Sequence, residues 1–154
     1  MIYAIIYVSA LVAANLLVAL IGPWFSVINS FVLIGLDLTL RDKLHDKWDG
    51  SPIKIGCLIA AAGVVSYLLN PASGQIAIAS VVAFCLSMAA DSFVYEKLKE
   101  QSWAKRANGS NLAGAAVDSL AFPTIAFGGL MPEIVAMQFA SKVVGGFIWT
   151  RIIK

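Results

Sequence analysis

The sequence predicts an all-α polytopic membrane protein with six transmembrane helices, and its composition and continuous apolar runs carry that prediction. Of 154 residues, 60% are hydrophobic and 13% are charged, and the mean hydropathy is +0.85. Soluble domains are about half apolar and about a quarter charged. The apolar runs do not alternate with polar residues, which favours helices over a transmembrane β-barrel. At roughly 20 residues per crossing, the chain holds about six helices in one domain, residues 1–154.

The first three helices have distinct boundary signals. The first apolar run lacks a basic start and is too long for the apolar core of a signal peptide, so we interpret it as a retained helix ending at Gly22-Pro23. The second run is short, and whether it crosses at a tilt or re-enters the membrane is open. The third run ends at Asn70-Pro71, a turn signal.

The last three helices contain most of the polar residues within apolar sequence. Small and polar residues share one stripe of the fourth helix, which we expect to face protein or a cavity: Ser80, Ala83, Ser87 and Asp91. In the fifth, Asn111 and Asp118 lie on one face. The sixth begins at Met131-Pro132-Glu133, with proline in the first turn and an acid at the positive end of the helix dipole. It carries Gln138 and Lys142 four residues apart.

The distribution of basic residues predicts the orientation. Ten of the eleven Lys and Arg residues flank or occupy the second and fourth loops or the C-terminal tail. With six helices and both termini in the cytoplasm, all ten are cytoplasmic, as the positive-inside rule requires. The predicted helices are about 2–21, 25–41, 53–69, 75–95, 111–129 and 132–150.

Polar and charged residues inside the apolar runs form the candidate ligand-binding site. A charge in the hydrocarbon costs roughly 2.5–3.5 kcal/mol on insertion scales, so such residues usually face a bundle interior or a polar cavity. We expect Asp118 or Asp91 to pair with Lys142, the deepest cation. A local ion pair at the membrane edge remains an alternative to a site role for the second helix's acid and base. The candidates are Asn15, Asp37, Arg41, Asp91, Asn111, Asp118, Gln138 and Lys142.

The sequence offers little for an enzyme, a metal site or a cofactor, and we expect none of these. The one histidine, His45, lies in a loop, and no HExxH motif is present. Asp49-Gly50 stands alone in a loop, unlike the motif of metal-dependent membrane phosphotransferases. Cys57 and Cys85 fall inside apolar runs, which predicts packed free thiols rather than a disulfide or metal ligands.

Small-molecule permeation is the function that remains. A carboxylate beside amides and aromatic residues suits a flat, neutral ligand rich in hydrogen-bond donors. An aspartate accepts two hydrogen bonds from a guanine-like NH–NH₂ edge, and aromatic rings stack on the face of a base.

Three stretches of the chain also resemble a known family. Residues 35–42, 91–98 and 110–128 resemble the queuosine precursor transporter family, formerly named the vitamin uptake transporter family. Asn15 and Lys142 fall where that family's pattern has Asn and Lys. The resemblance covers nearly the whole chain in one order and spacing.

The resemblance implies a six-helix protein of the cytoplasmic (inner) membrane that imports 7-deazaguanine precursors of queuosine, a modified nucleoside of tRNA. The chief precursor is the 7-cyano compound. In this interpretation Asp118 and Asp91 contact the base edge, and Lys142 balances their charge or meets the ligand's cyano or carbonyl end. The expected partners are this small molecule and the lipid bilayer, without nucleic acid. A homo-oligomer, the energy source and the ligand among the 7-deazaguanines stay open.

Two alternatives remain. The chain can be a substrate-binding subunit for a vitamin-like molecule, which needs an energising partner. It can also be a structural membrane protein without transport activity, in which case neutralising Asp91 and Asp118 changes folding alone.

Overall fold

The computed structural model describes residues 2–37, 40, 44, 47–48 and 51–152, and this part of the chain is all-helical, without a β-strand. The predicted all-α class with six helices is confirmed. A single 3₁₀ turn, Pro71–Ser73, precedes the fourth helix. The six helices are α1 Ile2–Ile21, α2 Phe25–Asp37, α3 Pro52–Leu69, α4 Gly74–Lys97, α5 Trp103–Ala126 and α6 Pro132–Ile152.

The helix ends differ from the predicted ones mainly at α5. This helix begins at Trp103 rather than 111, because hydropathy detects the apolar part of a helix and the polar residues before Asn111 are also helical. It ends at Ala126 rather than 129, since Gly128 adopts a positive φ of 73°, a conformation that interrupts a helix and favours glycine. The predicted end of α2, at 41, lies outside the described residues.

Helix α2 is irregular and packs closely on α6. Its first turn, Phe25–Asn29, is α-helical, and Ser30–Ile34 forms a π-helical turn. A Cβ atom on Gly35 would lie 2.8 Å from the carbonyl carbon of Gly145, and a Cβ on Gly145 would collide with the carbonyl oxygen of Phe31. The two backbones therefore touch where only glycine fits.

The three short connections 22–24, 70–73 and 127–131 lie at one end of the bundle. Gln75 Nε2, in the first turn of α4, donates to the carbonyl oxygen of Ile125 near the end of α5 (3.2 Å). Gln138 on α6 donates to Ser26 at the start of α2. None of the three connections contains Lys or Arg. We call this end of the bundle the short-connection end.

Apolar side chains cover much of the surface, as in a membrane protein. The stretches Ile2–Ile21 and Pro71–Lys97 are long and apolar enough to cross a membrane by length and composition, and Phe25–Asp37 and Ile53–Leu69 are shorter and apolar. The prediction of packed thiols is wrong, because Cys57 and Cys85 are free but exposed. A small apolar thiol needs no burial on a surface that faces lipid.

Candidate functional site

A cavity lies between α1, α2, α4, α5 and α6, with about 340 Å³ of empty space when the open solvent at its mouth is included. The apolar part of the lining is Ala14, Val18, Ile34, Phe84 and Phe122. The polar part is Asn15, Ser26, Asn29, Ser30, Ser80, Asp118, Gln138 and Lys142.

The cavity occupies the half of the bundle nearest the short-connection end. Its residues come from the last part of α1 and of α5 and from the first part of α2, α4 and α6. Chain direction alternates between consecutive helices, so all these segments meet in one half. The prolines and glycines of the short connections set this geometry, because they end one helix and start the next within a few residues.

Lys142 is the most buried cation among the described residues, and its ammonium group is fully hydrogen-bonded. Its side chain is 2% exposed, and Nζ lies 2.6 Å from Oδ2 of Asp118. Nζ also donates to Oγ of Ser119 (3.0 Å) and to Oε1 of Gln138 (3.1 Å). An ammonium has three N–H donors, so these three acceptors satisfy it. The expected pairing of Lys142 is confirmed, with Asp118 as the partner.

Gln138 connects this ion pair to α2. Its oxygen accepts from Lys142, while Nε2 donates to Oγ of Ser26 (2.7 Å). The Ser26 hydroxyl in turn donates to the carbonyl oxygen of Pro23. Gln138 is fully buried, so both ends of its amide are engaged by protein.

Two asparagines differ from Gln138 in the hydrogen bonding of their side-chain oxygens. Asn15 Nδ2 donates to Oγ of Ser66 (3.2 Å), and Asn29 Nδ2 donates to the carbonyl oxygen of Ala14 (2.9 Å). No described residue donates a hydrogen bond to the side-chain oxygen of either asparagine. Both residues line the cavity, which therefore offers these two oxygens and the Asp118 carboxylate as hydrogen-bond acceptors.

The structure brings together four of the eight predicted site residues. Asn15, Asp118, Gln138 and Lys142 line the cavity. Arg41 lies outside the described residues. The structure also describes the remaining three residues, and they do not line the cavity: Asp37, Asp91 and Asn111.

These three residues belong to the half of the bundle away from the short-connection end. Asp37 is fully buried at the end of α2. Asp91 lies near the end of α4, and its Oδ1 is buried without a hydrogen bond from a described residue. Asn111 is half-buried on the early part of α5. The predicted stripe of α4 thus faces protein at Ser80, Ala83 and Ser87, and Ser80 is its one member in the cavity lining.

Sequence reasoning missed several residues of the lining. Ser26 and Ser30 are common residues near a helix start, and Asn29 was visible as a polar residue in an apolar run but had no predicted partner. Phe84 and Phe122 carry no positional signal among the eight phenylalanines of the chain. Ser26, Asn29 and Ser30 recur at steps of three and four, a helical stripe that identifies a polar face of α2.

Comparison with known protein families gives a match over nearly the whole chain. A family model described as putative vitamin uptake transporter matches residues 2–154. No curated protein and no solved structure matches the chain. Among the described residues, no three His, Cys, Asp or Glu side chains come together to hold a metal ion.

Proposed function

The chain belongs to the vitamin uptake transporter family, and from this premise we propose that it imports a 7-deazaguanine base through the cavity between its helices. The family describes membrane transporters, so the cavity is the natural place for a small-molecule substrate. The proposed substrate is a queuosine precursor such as 7-cyano-7-deazaguanine. The proposed location is the cytoplasmic (inner) membrane, crossed several times.

The free hydrogen-bond acceptors in the cavity support this substrate. Asn15 and Asn29 direct their nitrogens to protein and leave their oxygens available, and Asp118 adds a carboxylate. Protein acceptors take the three N–H donors of Lys142 and one of the two on Gln138. Such a site binds a ligand that carries donors, and the aminopyrimidinone edge of a deazaguanine presents ring N–H and amino groups together.

Asp118 is the proposed contact for that edge. A carboxylate has about four acceptor positions, and the ion pair with Lys142 uses one of them at Oδ2. The remaining positions accept from the ligand without breaking the pair. Phe84 and Phe122 flank the cavity from neighbouring helices, and a flat base stacks favourably on such rings. Lys142 balances the charge of Asp118. Asp91 lies further along α4, outside the cavity lining, and has no role in this proposal.

A complementation assay tests the proposal. Bacteria that neither make nor import the cyano-deazaguanine precursor receive the gene and nanomolar precursor, and queuosine in tRNA is measured. We expect wild-type protein to restore queuosine. The double variant Asp118→Asn/Lys142→Met removes both charges without leaving one unpaired, and we expect it to reach the membrane and restore none.

The matched control is Glu96→Gln, which removes an acid from the exposed ion pair with Lys99 (3.8 Å) and should leave uptake unchanged. Lack of queuosine with well-inserted wild-type protein would exclude this substrate. Full uptake by the double variant would instead show that Asp118 is not part of the site, and it would not contradict the proposed substrate.

A vitamin-like ligand is the alternative that the family description favours. In that case the chain is a substrate-binding subunit, and an ATPase module that energises it should co-purify from its native membrane. Co-purification together with a negative complementation assay would select this alternative. If both results are negative, and neutralising the ion pair alters only folding, the protein has a structural role.

A further inference from the structure

The charge balance of the cavity limits the kind of ligand that it accepts. Among its described lining residues, only Asp118 and Lys142 carry a formal charge, and they pair at 2.6 Å. The lining as a whole is therefore neutral. A charged ligand would bring an uncompensated charge into a largely apolar interior, where charges are strongly disfavoured.

Neither member of the pair is free to compensate a charged ligand. An anionic ligand would need an N–H donor of Lys142, but Asp118, Ser119 and Gln138 take all three. A cationic ligand could reach the free acceptor positions of Asp118, but the charge of that carboxylate is already balanced by the lysine. The lysine is covalently fixed within hydrogen-bond distance, so its effective concentration at the carboxylate is high.

Gln138 keeps the ion pair in position and the cavity lining neutral. Its neutral oxygen is the third acceptor of Lys142, and its amide orientation is fixed by donation to Ser26 Oγ at 2.7 Å. Reversing the amide would bring its NH₂ group against the ammonium. A carboxylate at this position would also accept from Lys142, but it would give the cavity a net negative charge and leave Ser26 without its donor.

We infer that the cavity selects uncharged ligands and that Gln138 is a specificity-determining residue for ligand charge. It acts by holding Lys142 in place and by contributing no charge of its own to the lining. This inference rests on the proposed function and narrows it. Of two deazaguanines that differ only in the 7-substituent, the neutral 7-cyano base should bind and its 7-aminomethyl analogue, a cation at neutral pH, should bind weakly.

The first test needs only the wild-type protein. The two bases compete for purified protein in lipid nanodiscs at neutral pH, and the dissociation constants are compared. We expect the cyano base to bind at least about tenfold more tightly, because the cation must be desolvated without a free counter-charge. Equal binding, or tighter binding of the cation, would overturn the inference and leave the proposed function intact. Binding of neither base to folded protein would overturn both.

The second test exchanges one amide for a carboxylate. Gln138→Glu should shift the preference by about tenfold or more toward the cationic base, since the extra carboxylate then supplies its counter-charge. Gln75→Glu is the matched control: it places the same charge at the short-connection end, on a residue outside the cavity lining. An unchanged ratio in folded Gln138→Glu, or an equal shift in Gln75→Glu, would show that Gln138 does not set the charge selectivity.

Discussion

Lys142 and Asp118 are each stable in the interior of the bundle because of the other. The pair has 2% and 9% of its side-chain surface exposed, and Ser119 and Gln138 complete the hydrogen bonds of the ammonium. Breaking a buried pair by removing one partner costs about 3–5 kcal/mol, whereas removing both charges together costs much less. Because removing both charges costs little stability, the double variant shows the contribution of the pair to binding, and the single variant shows its contribution to stability.

Lys142→Met should therefore destabilise the protein by about 3–5 kcal/mol, since it leaves the Asp118 carboxylate buried without a counter-charge. Asp118→Asn added to Lys142→Met should recover most of that loss. Thermal or denaturant unfolding in detergent micelles measures both variants against wild type.

Lys99→Met provides the surface control for this prediction. Lys99 pairs with Glu96 at 3.8 Å, and both side chains are well over half exposed. Exposed pairs contribute about 0–1 kcal/mol, so the variant should unfold close to wild type. A double variant less stable than Lys142→Met alone would show that the two charges do not compensate each other.

At the scale of helices, the contact between α2 and α6 depends on two glycines and one indole. Gly35 and Gly145 let the backbones touch, and Trp149 Nε1 donates to the carbonyl oxygen of Val32 (3.0 Å) within the π-helical turn Ser30–Ile34. This contact holds the cavity residues of α2 against those of α6. The sequence predicted two helices here but not the π turn, because no residue in Ser30–Ile34 distinguishes i→i+5 from i→i+4 hydrogen bonding.

Gly145→Ala should destabilise the protein by about 1–3 kcal/mol, the usual cost of overpacking. The added methyl would collide with the carbonyl oxygen of Phe31, which is rigid backbone. The neighbouring Gly146→Ala is a matched control, because nothing lies within 4 Å of its Cβ position. Alanine there should be neutral or stabilise the helix by up to about 1 kcal/mol. The unfolding midpoints of the two variants check this prediction, and equal midpoints would contradict the close packing.

For the whole molecule, the sequence predicted the helices better than the site. Continuous apolar runs identify helices one at a time, so the six-helix class needed no tertiary information. The cavity depends on which faces meet: Asp91 and Asp118 look equivalent in sequence, but only Asp118 lies in the half that contains Asn15 and Lys142. Hydropathy and spacing do not show which residues on different helices lie at the same level along the bundle axis. For that reason Asn29 and Phe122 were also missed.

The position of the cavity gives a prediction about access across the membrane. The connections at the short-connection end contain no Lys or Arg, so the positive-inside rule places that end outside the cytoplasm. The cavity should then be open to the outer side and closed toward the cytoplasm by the close packing of α4 on α5, where a Cβ on Gly114 would lie 3.1 Å from Oγ of Ser87. A transporter in such a state would be ready to receive substrate from outside.

Cysteine labelling in intact cells tests that state. In a background where alanine replaces Cys57 and Cys85, Ser80→Cys should react with a membrane-impermeant thiol reagent, because Ser80 lines the cavity. Ser87→Cys, two turns further along the same helix and 1% exposed, should react far more slowly. The cyano base should protect Ser80→Cys if the cavity binds it. Faster labelling of Ser87→Cys, or labelling of Ser80→Cys only after the membrane is opened, would mean that the cavity faces the cytoplasm and that substrate leaves, rather than enters, through its mouth.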